Sequence, residues 1–133
     1  PQSRRELERK LGEWGASQEE SAAICGRLEE LGYLNDASYA AQVARHYSAK
    51  GYGERKLRDE FYRRGISREL WEDALAQVQD SSQAIDAFLD KKFAGRTPDR
   101  QELKKASDAL ARRGYRWSEI NEGLRRYGAE IDD

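Results

Sequence analysis

Three glycines constrain this 133-residue chain more than any other feature. Gly15, Gly65 and Gly114 lie 50 and 49 residues apart, each between two helix-periodic segments. An apolar residue stands four positions before each of them (Leu11, Phe61, Leu110) and another ten positions after (Cys25, Leu75, Leu124). A glycine after the last periodic residue is the ordinary helix stop, because it adopts the left-handed backbone without penalty. Recurrence at this period marks a helical array, in which each hairpin buries its apolar stripe against a neighbour. Composition agrees, since Val, Ile and Thr together number only 8 residues while Leu, Ala, Glu, Arg and Lys abound. A mainly β fold is excluded on that count.

Punctuation along the chain predicts about eight helices. The first runs from Ser3 to Trp14 with Leu7 and Leu11. The second is capped by Ser17, with Glu20 at capping-box spacing, and presents Ile24, Leu28 and Leu31 before Gly32. Asp36 is the expected cap of a third, with Tyr39, Ala40, Val43 and Tyr47 inward and Gly51 closing it. Gly53 to Arg64 carries Leu57 and Phe61, and Ser67 is expected to cap a helix holding Leu70, Trp71, Ala74, Leu75 and Val78. Ser81 to Phe93 bears Ile85, Phe88 and Leu89, and Gly95 to Pro98 is a linker that places Pro98 at a helix N1 position. Leu103, Ala106 and Leu110 line the seventh helix; Trp117, Ile120 and Leu124 line the eighth. The expected architecture is all-α: tandem three-helix repeats forming an elongated, curved, right-handed or solenoid-like array. Its parts are 1–33, a first repeat lacking its leading helix; 34–79, a second repeat; 80–128, a third; and 129–133, an acidic tail. With no Met and Pro1 in first place, the chain reads as a fragment that starts one helix late.

Several functions are excluded early. Lys and Arg number 24 against 25 Asp and Glu, a net charge of −1, so no global polyanion signal exists. No apolar run approaches the roughly 18 residues of a membrane span. One cysteine, Cys25, cannot pair internally, which fits a reducing, cytoplasmic setting; its alignment with Leu75 and Leu124 makes it a core residue. One His and one Cys cannot assemble the usual zinc site. His46 reads as solvent-facing, and adjacent carboxylates such as Glu19/Glu20 diverge around their helix. No nucleophile stands with a base and an orienter, so the chain is expected to be no enzyme and to need no cofactor or metal.

Several blocks carry a resemblance. Ser3-Arg-Arg-Glu-Leu-Glu-Arg-Lys-Leu11, Leu31-Gly-Tyr-Leu-Asn-Asp-Ala-Ser-Tyr-Ala40, Lys50-Gly-Tyr-Gly-Glu-Arg-Lys-Leu57 and the run from Arg64 to Glu69 are similar to the RecX family. The likeness spans residue 3 to about 127 and is strongest from 28 to 75; Asn35 replaces a usual Asp, and Tyr39 a usual Phe. The resemblance implies three tandem three-helix units and a regulator that binds the RecA filament on single-stranded DNA. It implies inhibition of strand exchange, ATP hydrolysis and co-protease activity, with direct DNA contact in some members. A monomer is expected.

The repeat register singles out one pattern. Lys56 and Arg63 lie seven residues apart on one helical face, and 49 residues on stand Lys105 and Arg112. In the first repeat the same places hold Glu6 and Glu13. Arg64 and Arg113 follow, each just before its glycine. Basic residues near a helix C-terminus also suit the macrodipole, which accounts for the arginines but not for the lysines. Lys50, Tyr52 and Arg55 join the candidate partner or DNA contacts. Lys50-Gly51-Tyr52-Gly53 matches neither phosphate-loop fingerprint and reads as a cap and turn. Tyr47, Tyr52 and Tyr62 among Arg45, Arg55 and Arg58 offer base stacking as one reading and half-packed helix junctions as the other. A second function class is a stand-alone DNA-binding module, because Arg63-Arg64-Gly65-Ile66-Ser67 joins two helices in the manner of a helix-turn-helix.

Overall fold

A computed structural model describes residues 1–78 and 80–128. Among them are eight α-helices and no strand: α1 (Arg4–Glu13), α2 (Gln18–Glu30), α3 (Asp36–Ala49), α4 (Glu54–Arg63), α5 (Trp71–Ala76), α6 (Ser82–Phe93), α7 (Arg100–Arg112) and α8 (Trp117–Tyr127). A 3-10 turn, Arg68–Leu70, leads into α5. The acidic tail expected at 129–133 lies outside the described residues. The chain divides into two compact units: unit 1 is Pro1–His46 with Arg58–Val78, and unit 2 is Tyr47–Leu57 with the described part of Gln79–Asp133.

Local chemistry explains where most helices begin. Ser17 Oγ accepts from the Glu20 amide at 3.1 Å while Glu20 Oε1 accepts from the Ser17 amide at 2.9 Å, satisfying two of the orphan donors of α2. Ser3 and Glu6 do the same for α1, and Asp99 and Glu102 for α7. That last box moves Pro98 out of the N1 position expected of it. Asp99 takes the cap, and α7 starts two residues after the proline. In α3 the expected cap is likewise displaced by one residue. Asn35 Oδ1 accepts from the Ser38 amide at 3.1 Å, whereas Asp36 Oδ1 turns to the Arg4 amide at 2.9 Å. Ser67 makes no side-chain cap bond. No acidic residue stands three positions on to reciprocate, and the segment opens as a tight 3-10 turn.

The packing of α2 differs from the hydrophobic pattern. Ile24 and Leu31 are 43% and 50% exposed, while Ser21 and Cys25 are buried. Two small side chains one turn apart let α1 approach closely, and Cys25 Sγ lies 4.0 Å from the Arg4 carbonyl. Backbone proximity, not side-chain apolarity, selects the buried face. In α8 Ile120 and Leu124 are buried as expected, but Trp117, in the first turn, is 59% exposed; the other helices keep most of their pattern. Tyr39, Ala40, Val43, Phe61, Ile66, Trp71 and Ala74 are buried in unit 1, with the Phe61 and Trp71 rings 5.8 Å apart. Unit 2 has one continuous core from Ile85, Leu89, Phe93, Ala106, Leu110, Tyr115, Ile120 and Leu124. Gly123 permits α8 to meet α6, since a Cβ there would sit 2.4 Å from Ile85 Cγ2.

A recurring joint organises each unit. In unit 2 the Gly53 amide donates to the Arg113 carbonyl at 2.8 Å and the Arg55 amide to the Gly114 carbonyl at 3.1 Å. The first donors of α4 thus meet carbonyls at the end of α7, two sets that helix termini leave unsatisfied. Fifty residues earlier Ser3 occupies the place of Gly53, and its hydroxyl donates to the Arg64 carbonyl in unit 1. The arginine of each joint covers the aromatic residue of the preceding long helix. Arg64 lies 5.8 Å from the Tyr39 ring, and Arg113 lies 5.0 Å from Phe88, at the matching place 49 residues on. Two consequences are measurable. Gly114 has φ +97 and a Cβ there would fall 2.6 Å from the Lys56 amide nitrogen, whereas Gly15 has φ +100 with open space around it. Gly15→Ala should cost about 1 kcal/mol and Gly114→Ala about 3 kcal/mol in urea unfolding. Amide exchange should also be about tenfold faster in α1, which buries no residue, than in α7, which buries Ala106, Ser107 and Leu110.

Candidate nucleic-acid and partner interface

Unit 1 contains a cleft of ≈ 720 Å³ whose walls come from α1, the end of α4, the turn after it and the start of α5. Its cations are all arginines: Arg4, Arg5, Arg9, Arg63, Arg64 and Arg68; its carboxylates are Glu6, Glu8 and Asp36. The acids are committed to the fold. Glu6 Oε1 accepts from the Ser3 amide at 3.0 Å, Asp36 holds the Arg4 amide, and Glu8 pairs with Arg4 Nε at 2.7 Å. That pairing and a second one to Glu29 raise the Arg4 pKa above its ordinary value. Arg63 Nη2 lies 2.9 Å from Glu60 Oε1, and Arg64 Nε 3.7 Å from Glu60 Oε2. Glu60 is 1% exposed, so one buried carboxylate anchors two neighbouring guanidinium groups. Arg64 Nη1 also donates to Tyr39 Oη at 2.6 Å. Burial pushes the Tyr39 phenol up, with Arg64 opposing.

Tyr62 is 75% exposed on the same cleft, and the Arg68 guanidinium lies 5.3 Å from the Trp71 ring. Trp71 itself is buried, its Nε1 donating to the Ile66 carbonyl at 2.9 Å. Tyr62 is one of the three tyrosines for which the sequence offers base stacking, whereas Arg5, Arg9 and Arg68 are not among the contacts that repeat register suggests. The places in α1 that match Lys56 and Arg63 hold Glu6, adjacent to Arg5, and Glu13, four residues beyond Arg9. An i, i+4 arginine pair in α1 is the signal that finds Arg5 and Arg9.

The remaining candidates fall in unit 2. Lys56 Nζ lies 5.6 Å from the Tyr47 ring and 5.7 Å from Tyr52, and Lys50 Nζ 5.9 Å from Tyr47. The two rings meet edge to face at 5.9 Å. Lysines therefore lie against these tyrosines, and the arginines expected near them are directed elsewhere. Arg55 Nη2 donates to the Ala111 carbonyl at 2.7 Å; in unit 1 Arg58 pairs with Glu72 at 2.8 Å, and Arg45 reaches Gln77 at 3.4 Å. Arg113 is half-buried on Phe88. Lys105 and Arg112 are both exposed on α7 and, among the described residues, make no ion pair. Arg63 shares α4 with Lys56 but belongs to unit 1. No group of three or more metal-ligating side chains converges among the described residues.

A family model described as RecX, second three-helix domain, matches residues 35–75. The regulatory protein RecX of Pseudomonas putida (strain GB-1) is 35% identical over 130 residues, covering 96% of this chain and 82% of its own length. The chain belongs to the RecX family. The regulatory protein RecX of Xanthomonas axonopodis pv. citri (strain 306) is 33% identical over 125 residues, covering 92% of this chain and 77% of that relative. The fold is shared with the crystal structure of RecX from Lactobacillus salivarius, at a TM-score of 0.84 and 23% identity, over 95% of this chain and 85% of that one. The RecX-family members named here are regulatory proteins, and no helix among the described residues is long and apolar enough to cross a membrane. In this RecX-family fold the buried Glu60 anchor is specific to one joint, because Ala109 stands at the matching place in unit 2. Glu60→Gln should lower stability by about 2 kcal/mol, read from the urea midpoint, since it removes a charged acceptor from two arginines.

Proposed function

We propose that this RecX-family chain regulates RecA by binding its filament on single-stranded DNA, inhibiting recombinase, ATPase and co-protease activities without chemistry of its own. Membership of a family of regulatory proteins, at 35% identity over nearly the whole chain, is the observation that carries this reading. The protein acts as a cytoplasmic monomer made of three linked helical repeats. Exposed cations stand in both units, Arg5 and Arg9 in one, Lys105 and Arg112 in the other. Linked weak contacts raise one another's effective concentration, so the chain can hold a filament that no single contact would retain. Holding neighbouring protomers opposes the growth and cycling on which filament activity depends.

The stand-alone helix-turn-helix reading has less support. The helix after the Gly65 turn, Trp71–Ala76, has only six residues, and both Trp71 and Ala74 are buried. A recognition helix needs an exposed face long enough to enter a major groove. ATP turnover by RecA on single-stranded DNA, followed as this protein is added, tests the main reading. Inhibition is the expected result. Lys105→Glu with Arg112→Glu, both at exposed positions, should raise the half-inhibiting concentration about tenfold or more while leaving far-UV circular dichroism unchanged. Unaltered turnover with the parent chain rules the filament reading out.

A further inference from the structure

We propose that the arginine cleft of unit 1 is a binding site for single-stranded nucleic acid, with Tyr62 as the base platform and Arg5, Arg9 and Arg68 as the phosphate contacts. This assignment goes beyond filament regulation and does not rest on it, because it concerns the isolated chain and a nucleic-acid strand.

The charge on the cleft is available for a ligand. Its three carboxylates already hold two backbone amides and Arg4. Arg64 is stacked on Tyr39 and bound to its hydroxyl. Arg5, Arg9 and Arg68, by contrast, face the cleft with no carboxylate partner among the described residues. All the cations are guanidinium groups, whose planar forks bind phosphate oxygens two at a time and lie flat on rings. Arg68 is already oriented by Trp71, 5.3 Å away, so less side-chain freedom is lost when its outer edge meets a phosphate. The stem of Arg5 runs over the Gly65 turn, where a Cβ would fall 2.7 Å from its Cδ, which also fixes the direction of that side chain.

Tyr62 decides between strands. It is the one aromatic residue on the cleft that is largely exposed; Trp71 lies beneath. An exposed ring beside guanidinium groups is the arrangement that binds unpaired bases, because every base offers a face to stack. A duplex keeps those faces inside its own stack and gains nothing from the ring. The cleft volume of ≈ 720 Å³ suits a short stretch of strand.

Fluorescence anisotropy of a labelled oligothymidylate with the full chain, in the absence of RecA, tests the assignment. Binding should weaken with salt with a log–log slope of about −2, as expected for three phosphate contacts on a single strand. Arg9→Glu with Arg68→Glu should weaken binding about tenfold or more, and the neutral pair Arg9→Gln with Arg68→Gln should follow in the same direction. Tyr62→Ala should weaken oligothymidylate about fivefold while leaving the weaker binding of a hairpin duplex unchanged, and Tyr62→Phe should restore it. Circular dichroism matching the parent establishes that each variant is folded. The assignment is overturned if Tyr62→Ala binds oligothymidylate like the parent, or if it loses strand and duplex equally. It is overturned too if polyglutamate displaces the labelled strand as well as unlabelled oligothymidylate does, which would give the cleft to an acidic protein segment. Because RecA is absent, failure here leaves the filament reading standing.

Discussion

The amide of Gly53 and the carbonyl of Arg113, 2.8 Å apart, set the geometry on which unit 2 depends. A helix start carries donors without partners and a helix end carries acceptors without partners; bringing one to the other satisfies both and aligns the two dipoles favourably. The approach is close enough that side chains are excluded, since a Cβ on Gly53 would fall 2.5 Å from the Tyr115 amide nitrogen. Tyr115 then closes the joint by donating its hydroxyl to the Gly51 carbonyl at 2.8 Å. Burial raises the Tyr115 pKa, so the phenol stays a donor throughout the neutral range. In unit 1 a serine hydroxyl stands in for the glycine amide, and Arg64 takes the part of Arg113.

This arrangement also explains which basic residues are free to meet a partner. Arg55, Arg64 and Arg113 are drawn into the joints, where they cover carbonyls or rings. Lys50 and Lys56 lie against the tyrosines of the α3–α4 connection. Lys105 and Arg112 in unit 2, and Arg5, Arg9 and Arg68 in unit 1, are exposed and pair with no carboxylate among the described residues. A basic residue seven positions from another on the same helix is therefore no guarantee of equal availability. Lys56 and Lys105 occupy matching places in the repeat, yet only one of them lies beside tyrosine rings.

Much of the fold was legible because it rests on local chemistry. The Ser17/Glu20 box, the glycine stops and the apolar stripe of α8 are each decided within a few residues, and sequence displays them directly. The departures came where a distant group intervened. Asp36 left the cap of α3 to Asn35 because the Arg4 amide claimed it, and no local pattern registers a donor 32 residues away. Ile24 and Leu31 look like core by hydrophobicity. Their exposure follows from the small pair Ser21 and Cys25 drawing α1 onto the other face. The cleft was hidden for a similar reason. Arg5, Tyr62 and Arg68 are scattered along the chain, and only the docking of α1 on the Gly65 turn brings them to one place.

Joints made from main-chain atoms have a corollary for divergence. In unit 2 these bonds are backbone to backbone and ask only for glycine where the chains touch, while in unit 1 one of them needs a small side-chain donor, Ser3. Surface chemistry can therefore be rewritten residue by residue while the helices stay in register, which suits a fold shared at 23% identity with a TM-score of 0.84. Ser3 in place of Gly53 shows the latitude: a different donor reaches the matching carbonyl, Arg64 instead of Arg113, and the joint is kept.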